Sequence, residues 1–251
     1  MTSKRIILIT GANQGIGYDS SWALVSASPD NHVIVGSRSL ERGTKAVEDL
    51  QARKPAGTVS LLQLDITSDD SIKAAVEKLT ADFGVLDVLV NNAGVVISNA
   101  KDSRSELVDT FNTNAASPLI LTDALVPLLK KSKDPRIINV SSGLGSISER
   151  ADPASPFYNV AGEAYRISKA ALNMATTHMV YTYQGWGAKV WAYCPGYVVT
   201  NLTGEEDRQN RINSGAESSE TSAQGILEIV EGKRDGEVGK FLQRYGKQFN
   251  W

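Results

Sequence analysis

The chain has one cysteine, two histidines and no excess of charge of either sign, and each shortage closes off a class of function. Cys194 stands alone among 251 residues, so no internal disulfide can form, and a thiol-reducing, cytoplasmic setting follows. A small buried hydrophobe is the plain reading of that thiol. His32 and His178 match no metal-ligand spacing, so no metal site is expected. Twenty-six basic residues against 28 acidic ones leave a net charge of −2, with no cationic surplus to hold nucleic acid. No apolar run approaches the roughly 20 residues of a membrane span. The opening Met1–Arg5 stretch lacks the long apolar core of a secretory leader. Neither an internal repeat nor a linker divides the sequence, so residues 1–251 read as a single domain.

What is present is an alternation. Short β-rich runs at Arg5–Thr10, His32–Gly36, Val59–Leu64, Leu86–Val90, Arg136–Val140 and Lys189–Tyr193 are separated by longer helical patterns. The helices are expected over 16–27, 40–53, 68–82 with Ser68 as N-cap, 118–131 and 161–183. Continuous apolar strands suit a sheet covered on both faces. The fold expected is α/β: one doubly wound, Rossmann-type domain, a parallel sheet with helices on both sides. The polar stretch 201–221 reads as a solvated loop or short helix, or as a mobile lid.

The first strand runs into Thr10-Gly-Ala-Asn-Gln-Gly-Ile-Gly17. Gly11 permits a sharp turn, and Gly15 and Gly17 permit close backbone approach to a pyrophosphate and to the next strand. The helix that follows offers free N–H groups to phosphate. A strand before and a helix after are the context that a dinucleotide-binding turn requires.

Four further motifs follow in order: Asn91-Asn-Ala-Gly94, Ser141-Ser142, Tyr165-Arg-Ile-Ser-Lys169 and Cys194-Pro-Gly196. Together with the Gly-x-x-x-Gly-x-Gly turn they resemble the short-chain dehydrogenase/reductase family, from Arg5 to the end of the chain. The 22-residue-scale separation between Ser142 and Tyr165, filled by Gly143–Ala164, is similar to the carbonyl-reductase branch. The resemblance implies reversible reduction of a ketone or aldehyde by a nicotinamide dinucleotide. It assigns Asn114, Ser142, Tyr165 and Lys169 as the catalytic set, with Asn112 the competing choice for Asn114. Ser142 would hold the substrate oxygen, Tyr165 would give the proton, and Lys169 would tune Tyr165 and bind the ribose. Asn114 would hold a water in the proton relay. Ser141, pointing the other way in extended chain, reads as structural.

The dinucleotide contacts expected are Gly11, Asn13, Gln14, Gly15, Ile16 and Gly17 at the turn, then Ser37 and Arg38 at the adenosine ribose. Asp65 and Ile66 would meet the adenine, although turn chemistry explains Asp65 equally well. Asn91, Ala93 and Gly94 would stand beside the cofactor, with strand bracing the rival role for Asn91. Tyr165, Lys169, Pro195, Gly196, Val198 and Thr200 would surround the nicotinamide. The second strand ends Gly36-Ser-Arg38 with no acid, which favours NADP(H) over NAD(H) because Arg38 can pair a 2′-phosphate. Gln14 leaves the turn itself without a second cation.

The partner expected is a small carbonyl compound, with no nucleic acid and no membrane; assembly stays open, a homodimer or homotetramer included. Phe157 and Tyr158 in the inserted loop would contact substrate or pack the loop down. Trp251 would fold back on the domain or meet a partner. The substrate pocket is expected from Val95–Ser98, 143–164 and 201–221, none with a diagnostic motif. An epimerase or dehydratase, or a non-catalytic NADP(H) sensor, is the alternative on the same fold.

Overall fold

The computed structural model describes residues 4–97 and 99–251. Met1–Ser3 of the leader reading and Ser98 of the pocket reading lie outside the described residues. Among the described residues, eight strands form one sheet in the order β3-β2-β1-β4-β5-β6-β7-β8. They are β1 (Arg5–Thr10), β2 (Asn31–Ser37), β3 (Thr58–Gln63), β4 (Val88–Asn91), β5 (Arg136–Val140), β6 (Lys189–Cys194), β7 (Phe241–Gln243) and β8 (Gln248–Phe249). Strands β1 to β7 pair in parallel, whereas β8 returns antiparallel to β7. The parallel sheet expected from the sequence is present, and it gains one short antiparallel strand at its last edge. A two-residue strand after a short turn can only run back beside its neighbour, since a parallel return needs a crossover of a dozen residues or so.

The helices are α1 (Gly15–Ala27), α2 (Leu40–Ala52), α3 (Asp69–Asp82), α4 (Ser103–Phe111), α5 (Ser117–Leu129), α6 (Ile147–Ala151), α7 (Glu163–Tyr183), α8 (Arg208–Asn213) and α9 (Ser219–Val230). Alternation along each strand splits the core in two. Ile6 and Leu8 of β1 pack with Ile72 and Leu79 of α3, Leu125 of α5 and Met179 of α7. Ile7 and Ile9 turn to the other face, against Leu24 of α1, Leu50 of α2 and Ile229 of α9. Ser68 caps α3, accepting from the Ser71 amide at 3.3 Å.

A helix expected to begin at Pro118 begins earlier. Asp102 caps α4, its carboxylate accepting from the Ser105 amide at 2.8 Å. One widened, π-helical turn over Asn112–Ala116 then joins α4 to α5. Between the layers, polar side chains bridge β4, β5 and their helices. The Asn91 amide donates to Asn139 at 2.8 Å and Thr122 at 3.0 Å, and Asn139 donates to Thr176 at 2.9 Å.

The strand order reverses between β1 and β4, which opens a crevice at the carboxyl ends of the strands. The cleft of about 1290 Å³ in the structure lies there. No helix among the described residues is long and apolar enough to cross a membrane.

Candidate active site

The glycine turn is fixed by close packing. Gly11 and Gly15 lie in the left-handed region, at φ +62° and +55°. A Cβ on Gly11 would stand 2.9 Å from the Ala93 Cα, so only glycine lets the turn lie against the segment after β4. The Thr10 hydroxyl oxygen accepts from the backbone amides of Asn92 and Ala93, both at 3.0 Å. The Asn92 amide in return donates to the Thr10 carbonyl at 2.8 Å. Helix α1 starts at Gly15 with no side-chain cap and no acid in its first turn. Its first amides border the cleft without a side-chain acceptor, which suits a pyrophosphate.

At one end of the cleft, Arg38 is exposed on the rim, and Arg42 stands beside it from the first turn of α2. Ser37 is buried, its hydroxyl donating to the Ser39 carbonyl at 2.9 Å and to Asn13 at 3.3 Å. Leu64, Asp65, Ile66 and Thr67 form the facing wall. Asp65 accepts from the Thr67 hydroxyl at 2.7 Å and amide at 2.9 Å. Those bonds, the hydroxyl first, together with the Arg38 charge, hold its carboxyl below the usual range against the opposing effect of burial.

The chemistry-bearing end is built by β5, α7 and the segment after β6. Ser141 is buried and donates to Asn173 at 2.6 Å, whereas Ser142 faces the cleft. The Ser142 hydroxyl accepts from the Leu144 amide at 3.2 Å and is bonded to the Tyr165 phenol. Tyr165 and Lys169 share one face of α7, four residues apart. The Lys169 ammonium donates to the Val140 carbonyl at 2.8 Å and lies 5.7 Å from the centroid of the Tyr165 ring.

Burial governs both groups. It pushes the Tyr165 phenol up to about 12, with the Ser142 bond and the Arg211 charge opposing. It pulls the Lys169 ammonium down to about 8. The sequence expectation was a phenol acidified by its lysine; here the ammonium is turned to a backbone carbonyl, and desolvation outweighs the attraction.

Asn114 lies fully buried in the widened turn, while Asn112 is exposed. The Asn114 side chain donates to the Val95 carbonyl at 2.9 Å and to Ser168 at 3.0 Å, and accepts from the Val95 amide at 2.8 Å. It ties the turn to the cleft wall rather than lining the cleft. Asn91, Gly17 and Ser37 are likewise buried off the wall, Asn91 bracing β4 to β5. Gly94 stands next to the Lys169 ammonium. Cys194 is buried, its sulfur accepting from the Gly143 amide at 3.1 Å, and burial raises the thiol.

Past β6, Pro195, Gly196, Val198 and Thr200 line the cleft, and the Thr200 methyl approaches Gly15. Sequence reasoning missed the cations and the ring that hold or face this segment. Arg211 of α8 donates twice to the Val198 carbonyl, at 3.1 and 3.0 Å. Arg244 packs on Gly196 and pairs with Glu217 at 2.9 Å. Arg42 has a signal in the sequence, four residues after Arg38 on a helix; Phe249, which also lines the cleft, has none.

The inserted loop is pinned from beneath. Arg166, buried in the first turns of α7, donates to the Phe157 and Val160 carbonyls at 2.8 and 3.0 Å. Phe157 thereby lines the cleft, and Tyr158 does not.

Residues 5–211 match the profile of the family described as short chain dehydrogenase. The chain belongs to that family. It is 34% identical over 255 residues to the short-chain dehydrogenase/reductase eupG of Phoma sp, with 92% of each chain covered. It is similar in structure to an NADPH-bound carbonyl reductase from chicken fatty liver, with a TM-score of 0.83, 28% identity, and 99% and 100% of the two chains covered. The carbonyl reductase Sniffer of D. melanogaster aligns with a TM-score of 0.80 and 29% identity over 99% of this chain and 100% of that one. This short-chain dehydrogenase is thus an oxidoreductase of a family that works between alcohol and carbonyl with a nicotinamide cofactor.

Proposed function

We propose that the protein is an NADPH-dependent reductase of ketones or aldehydes, acting as a single domain through Ser142, Tyr165, Lys169 and Asn114. The observation that carries the reading is the convergence of Ser142, Tyr165 and Lys169 on one end of a cleft whose other end holds Arg38 and Arg42. Two guanidinium groups and no carboxylate at the end of β2 suit a 2′-phosphate and not a bare ribose diol. A structural neighbour described as NADPH-bound carbonyl reductase supports the same cofactor.

Bound NADPH supplies a hydride for the carbonyl carbon. The protein's own groups handle the oxygen. Ser142 donates to it and holds the carbonyl in place. The Tyr165 phenol, kept protonated by burial up to about 12, is a competent donor to the more basic alkoxide that forms. The reduction consumes one NADPH and one proton per alcohol produced, and the reverse oxidation uses the same groups. Lys169, beside Gly94, is placed for the hydroxyls of the nicotinamide ribose and for passing a proton back to Tyr165. Asn114 holds the widened turn against Val95 from behind the cleft wall, and its part in that relay is to position the turn. The lone, buried Cys194 fits a cytoplasmic enzyme.

NADPH oxidation followed by absorbance across a carbonyl panel tests the reading. Ketone-dependent loss of NADPH, much faster than of NADH, is expected. Tight NADPH binding with no turnover on any carbonyl, alcohol or epimerisable sugar nucleotide would instead favour the sensor reading.

A further inference from the structure

The segment after β7 reaches the reacting end of the cleft, where no motif pointed. Strand β8 pairs Phe249 opposite Phe241, and the two rings sit 5.1 Å apart. The residues that follow are tied down from both sides. The Ser146 hydroxyl donates to the Asn250 carbonyl at 2.7 Å, the Ser148 amide and hydroxyl donate to the Trp251 carbonyl at 3.1 and 2.9 Å, and the Trp251 ring stacks on Phe241. Phe249 is therefore held in place rather than resting loosely on the surface.

Its ring lies against Gly143, immediately after Ser142. A Cβ on Gly143 would stand 2.6 Å from the Phe249 Cζ, so glycine is needed for the ring to occupy this place. On its other side Phe249 meets Phe157 of the inserted loop, edge to face, with centroids 5.6 Å apart and planes at 69°. Both rings line the cleft, together with Tyr197 and the apolar Val95, Val96 and Leu144. Two segments about 90 residues apart in the chain, 157 and 249, thus build one aromatic corner beside the hydroxyl assigned to the carbonyl oxygen.

We infer that Phe249, with Phe157, is a specificity-determining residue that selects carbonyl compounds bearing an aromatic ring on the carbonyl carbon. The Phe249 ring lies against the residue that follows Ser142, which sets the corner beside the substituent on a carbonyl carbon whose oxygen is on Ser142. Flat rings gain from offset or edge contact with phenyl groups beyond what their area gives, whereas a saturated ring of equal size gains area alone. The inference rests on the reductase reading for its place at Ser142, but its test does not depend on turnover.

The test compares acetophenone with cyclohexyl methyl ketone, of similar size, in wild type, Phe249→Leu and Phe249→Ala. Binding is read by calorimetry on protein saturated with NADP+, where no reduction occurs, and kcat/KM is read with NADPH. Wild type is expected to bind the aryl ketone about five- to tenfold better. In Phe249→Leu that ratio should fall to near one, through weaker aryl binding and higher KM, with kcat, NADPH affinity and melting temperature nearly kept. Phe249→Ala should admit bulkier ketones as well. An aryl preference unchanged in Phe249→Leu, or absent from wild type, overturns the inference. Aryl-selective binding without reduction of either ketone would overturn the reductase reading while upholding the aromatic corner.

Discussion

Lys169 gives a hydrogen bond to the Val140 carbonyl while its ammonium stays 5.7 Å from the centroid of the Tyr165 ring. The lysine is thus anchored to the strand that ends in Ser141 and Ser142, and the helix bearing Tyr165 is registered to the same strand. Replacing Tyr165 by phenylalanine keeps that anchor and the ring, and removes the hydroxyl with its proton and its bond to Ser142. Turnover should fall about a hundred- to ten-thousandfold, with the NADPH dissociation constant within about threefold of wild type. Steady-state kinetics and a fluorescence titration give both numbers, and undiminished turnover would exclude Tyr165 as the acid.

The same lysine makes stability depend on pH in an unusual direction. Its ammonium titrates near 8 in the folded protein, against an ordinary 10.5. Between those values the unfolded chain holds the proton and the folded chain does not, so stability rises with pH from about 8 to about 10.5. The stability of Lys169→Met relative to wild type should therefore be greater at pH 7 than at pH 10.5, by on the order of 3 kcal/mol, while the loss of the Val140 hydrogen bond enters equally at both. Urea melts across that range read the change. A gap that does not vary with pH would show that the ammonium is not desolvated as described.

Arg42 makes its contribution at the opposite end of the cleft. Arg42→Ala should weaken NADPH by about tenfold and leave NADH unchanged, since only the 2′-phosphate differs between them. Arg38→Ala should behave alike, and the pair together should bring the two cofactors close to parity. Added salt should narrow the wild-type preference. Equal losses for both cofactors would place these arginines on the pyrophosphate instead.

Acid stability has its own site, at the amino ends of the strands. Arg136 is buried and pairs with Asp134 at 2.6 Å and Asp235 at 2.5 Å. The Arg136 bond, with Lys189 adding to it, brings Asp235 down to about 2. Its stabilisation is present above an ordinary carboxylate pKa near 3.8 and is lost as the pH falls toward 2. Arg136→Met should cost about 3 kcal/mol at neutral pH. That deficit should shrink between about pH 4 and pH 2, as followed by circular dichroism melts.

Legibility in the sequence tracked how each element is stabilised. Strands β1 and β5 were read with their observed bounds, Arg5–Thr10 and Arg136–Val140, because a strand buried on both faces is an apolar run wherever it occurs. Helix α4 was missed because it buries only Thr110 fully and shows no apolar stripe; its Asp102 cap was the one available sign. Strands β7 and β8, three and two residues long, are too short for any alternation to register. Contacts among Phe241, Phe249 and Trp251 hold them, and those depend on the finished sheet.

The site divides in the same way. Ser142, Tyr165 and Lys169 could be placed together because each sits at a strand end or on a helix face whose geometry is local. The cations over the segment after β6 could not. Arg211 and Arg244 reach Val198 and Gly196 from separate elements, and no local pattern announces such a meeting. The inward turn of the Asn91 amide was one of two readings, and a single strand does not reveal which neighbour supplies the acceptor.

The bridge from Asn91 through Asn139 to Thr176 also constrains how this sequence can drift. Asn139 sits in the middle, accepting from Asn91 and donating to Thr176: exchange it for leucine, and the amide of Asn91 loses one of its two acceptors while the hydroxyl of Thr176 loses a donor, both in a dry interior. Apolar replacements at these three positions can be tolerated in combination but not singly, so descendants of this chain should keep the trio intact or abandon it wholesale.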